Sequence, residues 1–292
     1  MMKMLMSVIA CIVAGSLGMT HAAAAQRPAT DTLRVFISVD MEGLAGVVTS
    51  SDVSTSGADY AHFREIMAGE TNAAVDGAFR AGATSVLVRD SHGSKQNLLP
   101  SQVDPRARLL RGVSAGAKNM MEGMDSTFDA VVFIGYHARA GTPGAILEHT
   151  SNGNVIDLSI NGVSLPEGGY NALVAGLFDV PVVFVSGDQA VVDQLRDLLG
   201  PVGAVAVKRE VANASNGMSP QFAQAAIRAG VEQAVRSRTA ARPYRLVAPY
   251  TMVLKVRTPK PLIAGARQSG EGEVTFSSRD LLEVLAAFNV LK

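Results

Sequence analysis

The chain has 292 residues, 48% hydrophobic and 18% charged, the composition of a sequence that builds a packed core rather than a disordered tail. Lys+Arg and Asp+Glu each total 26, so no global field draws the protein to nucleic acid or to an anionic membrane surface. Tryptophan is absent and aromatics make up 5%, which argues against a stacking platform for bases or sugars.

At the N-terminus Lys3 precedes the apolar run LMSVIACIVAGSLGM, and THAAAAQRP follows. A basic start, roughly 15 apolar residues and then small residues are the parts of an export signal, and the run is short of the roughly 20 residues that span a membrane. The expectation is a signal peptide over residues 1–25, cleaved near Ala23 to Ala25, and export to the periplasm with no stable membrane span left after cleavage. An uncleaved anchor is the alternative. Cys11 is the only cysteine, and the apolar run continues past it, unlike the signal of a lipoprotein. The mature chain then carries no thiol, and any metal must be held by histidines and carboxylates.

From Leu33 onward apolar strands alternate with helical patterns, the sign of a mostly parallel sheet. RVFISVD (34–40) reads as a buried strand, and residues 60–81 read as a helix ended by Gly82. TSVLVRD (84–90) and DAVVFIGYH (129–137) are further buried strands. NVIDLSI-NG-VSL (154–165) predicts a hairpin whose Asn161-Gly162 pair suits a type I′ turn. A helix over 169–178, the strand VPVVFVSGD (180–188) and a long helix near 219–238 follow. The tail adds YTMVLKV (250–256), GEVTFS (272–277) and the closing helix LLEVLAAFNVL. The fold class is α/β, a mostly parallel sheet flanked by helices, with a smaller C-terminal α+β portion. Residues 33–200 read as the metal-binding catalytic domain and 201–292 as a supporting or assembly domain.

The chemistry gathers at strand ends, where open α/β sheets bind ligands. Asp40 closes the first strand and Glu42 follows two residues on, on the same side if the backbone stays extended. Two carboxylates that close repel, and a cation holds both ionised. RDSHG (89–93) places His92 after the second strand, and GYHA (135–138) places His137 at the end of the third. Glu167, in LPEGGYNA, offers another carboxylate. Imidazole with carboxylate suits zinc first, and manganese or cobalt next. These five candidates exceed one tetrahedral zinc; if Asp40 bridges, they suit a two-metal hydrolytic site. Singly, each has a plain alternative: Asp40 a helix cap, His92 a satisfied turn residue, His137 a core residue. His149, in AILEHT, is either an acid/base group beside the metals or a loop histidine bonded to its neighbours. His62 reads as solvent-facing and Glu70 as a helical ion-pair partner. GVSAG (112–116) matches a nucleophile elbow but lacks the strong buried strand before it, and no phosphate-binding glycine loop follows a strand.

In this order SVDMEG, DSHG, GYHA, EHT and PEGGYNA resemble the zinc-dependent D-aminopeptidases encoded with bacterial dipeptide-transport systems, over most of the mature chain. The resemblance implies an aminopeptidase with two zinc ions per subunit that releases N-terminal D-residues, typically D-alanine, from short D-residue-containing peptides or amides. It implies Asp40 as the ligand shared by both metals, Glu42, His92, His137 and Glu167 as the remaining ligands, and His149 as the catalytic histidine. It further implies a ring-stacked homodecamer or other ring homo-oligomer. Two features depart from the pattern: Pro166 stands before Glu167 where glycine is expected, and the export signal is unexpected in a family tied to cytoplasmic peptide use. A non-catalytic periplasmic dipeptide-binding protein and a metal-dependent amidase of other specificity are the alternatives.

Overall fold

The computed structural model describes residues 32–292; the expected export signal, with Cys11, lies outside them. The elements are β1 (Arg34–Val39), α1 (Ser50–Val53), α2 (Tyr60–Arg80), β2 (Ser85–Asp90), β3 (Arg108–Leu110), β4 (Ala130–Tyr136), β5 (Val155–Ile160), β6 (Val163–Ser164), α3 (Glu167–Leu177), β7 (Val182–Asp188), α4 (Gln189–Leu199), β8 (Gly203–Val211), β9 (Ala214–Gly217), α5 (Pro220–Arg236), β10 (Tyr250–Val256), β11 (Arg267–Gly270), β12 (Glu273–Ser278) and α6 (Leu281–Leu291). Among these described residues no helix is long and apolar enough to cross a membrane.

Seven strands form one sheet in the order β3-β2-β1-β4-β7-β8-β9, parallel throughout except for β9 against β8. The chain steps outward from β1 to β2 and β3, then returns to β4 on the other side of β1. That reversal opens a crevice beyond the carboxyl ends of β1 and β4, the place where such sheets take ligands. Both faces of the sheet are covered. Val35, Ile37 and Val39 of β1 pack with apolar residues of α2 and α5, whereas Phe36 joins a second core with α3, α6 and the smaller sheet. This alternation follows from the period of two along a strand.

The smaller sheet is antiparallel, in the order β11-β12-β10-β5-β6. The expected hairpin is β5–β6, and Asn161 (φ 52°) and Gly162 (φ 80°) both take the positive φ that a type I′ turn requires. α2 ends as its sequence predicts, at Gly82 (φ 98°), with Ala83 N–H returning to the Ala78 carbonyl.

The expected separate domain over 201–292 is not found: Thr32–Lys292 is one compact unit. β8 extends the large sheet from β7, α5 packs beside α2, and β10 supplies the partner that β5 needs. An isolated β5–β6 hairpin is marginal, so the C-terminal strands complete a sheet begun before residue 165.

The exit of β1 lies against the end of β4. Asp40 N–H donates to the Ile134 carbonyl and Gly43 N–H to the Gly135 carbonyl, both at 2.8 Å. A β-carbon on Gly43 would stand 1.9 Å from the Tyr136 carbonyl oxygen, and one on Gly135 (φ 69°) 2.3 Å from that of Asp40. Gly43→Ala is therefore expected to cost at least about 2 kcal/mol and to displace Asp40 and Glu42. Denaturant unfolding together with metal content checks this.

Candidate metal centre

Asp40 and Glu42 follow β1, His92 follows β2, His137 follows β4, and Glu167 opens α3. All but His92 are nearly fully buried. Asp40 Oδ1 lies 3.2 Å from His92 Nδ1, which also stands 3.1 Å from Glu42 Oε2. The other oxygen of Asp40, Oδ2, is 3.6 Å from His137 Nε2, and that nitrogen is 3.5 Å from Glu167 Oε1. His149 Nε2 approaches the same Glu167 oxygen at 3.6 Å. His149 also stacks on His137, with ring centroids 4.0 Å apart.

Two trios result, Asp40–Glu42–His92 and His137–His149–Glu167, each offering ligand atoms within 4.8 Å of one another. Asp40 sends one oxygen toward each. The structure thus brings together all six residues singled out from the sequence. Pro166 is no obstacle to Glu167: α3 begins two residues earlier than expected, with Pro166 as its N-cap and Glu167 in its first turn. There Glu167 Oε1 accepts from Ser151 N–H at 2.6 Å. Glu167 also sits where a helix N-terminus favours negative charge.

The far side of each imidazole is fixed by the backbone. His92 Nε2–H donates to the Val53 carbonyl at 2.9 Å, His137 Nδ1–H to Ala138 at 3.0 Å, and His149 Nδ1–H to Leu147 at 3.0 Å. In each ring the remaining nitrogen therefore points its lone pair at carboxylate oxygens. Only a proton or a metal ion between them makes this arrangement favourable, and a backbone partner behind the ring is the usual support of a metal-bound histidine. The donor set, three carboxylates and three imidazoles without thiol, fits zinc.

The electrostatics agree. Burial alone would depress His92 and His137, but the surrounding carboxylates raise them to about 11 and about 10. Burial would raise Glu42 and Glu167, yet the histidines outweigh it, holding Glu42 well below the usual carboxylate range and Glu167 at about 2.

A buried hydroxyl layer lies behind the ligands. Ser38 Oγ is 2.7 Å from both Ser91 Oγ and Tyr136 Oη, and Asn171 Nδ2 donates to Tyr136 Oη at 3.1 Å. Each member stands next to, or within a turn of, a ligand residue on its own element. The loop carrying Glu42 is held from β8, where the buried Lys208 ammonium donates to the carbonyls of Glu42 (2.5 Å) and Val47 (2.6 Å); burial lowers its pKa to about 8.

Sequence reasoning missed Lys208, because a lysine in VAVKREV reads as solvent-facing. It also misplaced Glu70, expected as a helical ion-pair partner. That side chain is fully buried, accepts Ala45 N–H at 2.9 Å and is raised by burial to about 7. Its place on the buried face of α2, between Met67 and Ala73–Ala74, was the available signal. His62 is exposed as expected.

The D-aminopeptidase family model matches residues 33–290. A D-aminopeptidase of Bacillus subtilis (strain 168) is 33% identical over 268 residues, covering 89% of this chain and 96% of that relative. Among solved structures, the Zn-dependent D-aminopeptidase DppA from Bacillus subtilis, described as a self-compartmentalizing protease, is similar with a TM-score of 0.85. It is 31% identical, and the match covers 88% of this chain and 96% of that one.

The raised histidines give a pH signature. With folded pKa values of about 11 and about 10, both rings are protonated at pH 7 in the metal-free protein, so metal must displace those protons and its affinity rises with pH. Zinc loading at pH 7 is expected to release about two protons per chain, measured calorimetrically in buffers of different ionisation enthalpy.

Proposed function

The chain belongs to the D-aminopeptidase family, and we propose that it is a zinc-dependent aminopeptidase that binds two zinc ions and releases N-terminal D-residues, D-alanine among them, from short peptides or amides. The observation that carries the two-metal reading is the placement of Asp40, one oxygen toward each trio. Bound zinc would supply Lewis-acid polarisation of the scissile carbonyl and a nucleophile at neutral pH. Asp40, Glu42 and His92 would hold one ion, and Asp40, His137 and Glu167 the other.

The remaining work falls to the chain's own groups. His149 Nδ1–H is tied to the Leu147 carbonyl, so Nε2 is the atom free to take a proton or give one to the departing amine. Stacking on His137 fixes its ring beside the ligands. The free substrate amine would be held beside a bound zinc or a ligand carboxylate, which favours cleavage at the N-terminal residue over cleavage inside a chain. His149 also completes the second trio, so a ligand role is the second reading.

For the whole protein we extend the proposal to a ring homo-oligomer, a homodecamer by family resemblance, in keeping with the self-compartmentalizing description of DppA. The basic, apolar and small-residue N-terminal sequence supports export to the periplasm.

Paired p-nitroanilides test the activity. Release is expected from the D-alanyl compound, abolished by chelation and restored by zinc, with little release from the L-alanyl compound. Saturable peptide binding with no product, indifferent to chelators, would instead favour a binding protein. His149→Ala is expected to keep its zinc and lose about 100-fold or more in kcat; loss of one zinc would make His149 a ligand.

A further inference from the structure

The scaffold delivers the two trios differently. His137 directly follows the last residue of β4, and Glu167 is the first residue of α3, so regular backbone holds both. His92 lies two residues past β2 in the irregular loop 91–98. Its side chain is 14% exposed, the most of the five expected ligands. The loop takes the left-handed conformation at Gly93 (φ 45°) and again at Lys95 (φ 61°). For a lysine this is uncommon, and it persists only where surrounding contacts hold it.

Those contacts converge on one buried side chain, Asn97. Its Nδ2 donates to Asp90 Oδ1 at 2.8 Å and to the His92 carbonyl at 2.7 Å. A carboxylate and a carbonyl only accept, so the amide has one workable orientation, with Oδ1 turned toward Tyr60. The Tyr60 hydroxyl donates to that oxygen at 2.6 Å. Asp90 Oδ2 accepts Leu98 N–H at 2.8 Å, and the Asn97 carbonyl accepts from Arg64 Nε at 2.6 Å. Asp90 ends β2, while Tyr60 and Arg64 lie in the first two turns of α2. The loop is thus closed across its base by one carboxylate and pinned to α2 through one amide. The Val53 carbonyl fixes the far nitrogen of the His92 ring, and Asn97 fixes the backbone from which that ring springs.

We propose that Asn97 is a positioning residue for the zinc ion held by Asp40, Glu42 and His92, and that it sets the affinity of this ion separately from that of the other. The proposal rests on the two-metal reading. Asn97 acts through His92. Its loss takes a donor from Asp90 and from the His92 carbonyl, and frees the loop to leave its left-handed turn. His92 Nδ1 then loses its place beside Asp40 and Glu42, whereas His137 and Glu167 stay on β4 and α3. Support of this kind behind a metal-bound histidine carries about 10- to 100-fold in metal affinity.

The test is chelator competition for zinc on the loaded full chain, in wild type, Asn97→Ala and Tyr60→Phe. Asn97→Ala is expected to weaken one of two ions by about 10-fold or more and to leave the other within about 2-fold. Tyr60→Phe keeps the ring and removes only the hydroxyl that orients the amide, so it should weaken the same ion by a smaller factor. It also carries the test if Asn97→Ala does not fold. Both ions weakened alike, or neither weakened, would overturn the proposal. Hydrogen exchange of the full chain without zinc reads the loop apart from the metal: peptides over 91–98 should lose protection in the variants, and those over 130–136 should not. Unchanged exchange over 91–98 would overturn the positioning role. One zinc in wild type would sink the two-metal reading; Asn97 would keep its role if that ion weakens as the loop loosens, and lose it otherwise.

Discussion

Asp40, Glu42 and Glu167 bury three carboxylates around one cavity, and their mutual repulsion is the constraint to which the surrounding structure answers. Burial alone would drive such groups toward the neutral form. Instead His92, His137 and His149 meet them edge-on, each locked from behind by a backbone carbonyl. The result is a site whose ionised form needs cations, and protons and metal ions compete for the same positions. Stability and chemistry are coupled there: the charge that would disfavour a buried acidic cluster is what makes it select a divalent metal.

The scaffold delivers these groups with little freedom. The ligands come from four elements, and the hydrogen-bonded set Ser38, Ser91, Tyr136 and Asn171 joins the same four just behind them. Buried, mutually satisfied polar groups of this kind fix relative position. The close approach of Gly43 and Gly135 to opposing carbonyls and the Lys208 clamp on the Glu42 loop act to the same end.

Much of this was legible in the sequence, for specific reasons. Buried parallel strands such as RVFISV and AVVFIGY read as uninterrupted apolar runs, and their sequence alone puts the terminal Asp40 and His137 at the open end of the sheet. Asn161-Gly162 announced its hairpin. The amphipathic α4 was missed although Asp188 caps it by accepting Val191 N–H. β8 was missed because GAVAVKREV ends in charges that read as loop, although one of those charges, Lys208, is buried. Residues 201–292 looked independent because they carry no ligand candidates; strand pairing across the chain, invisible to local patterning, makes them part of the one unit. Glu70 failed for the opposite reason, its charge outweighing its position on the buried face of α2.

The most direct test of the central claim is zinc stoichiometry, measured by elemental analysis on the loaded, folded chain and on three single variants. A shared Asp40 requires about two zinc ions per chain, about one in Glu42→Gln and in Glu167→Gln, and loss of both in Asp40→Asn. One zinc in the wild type, or two retained in Asp40→Asn, would contradict the account.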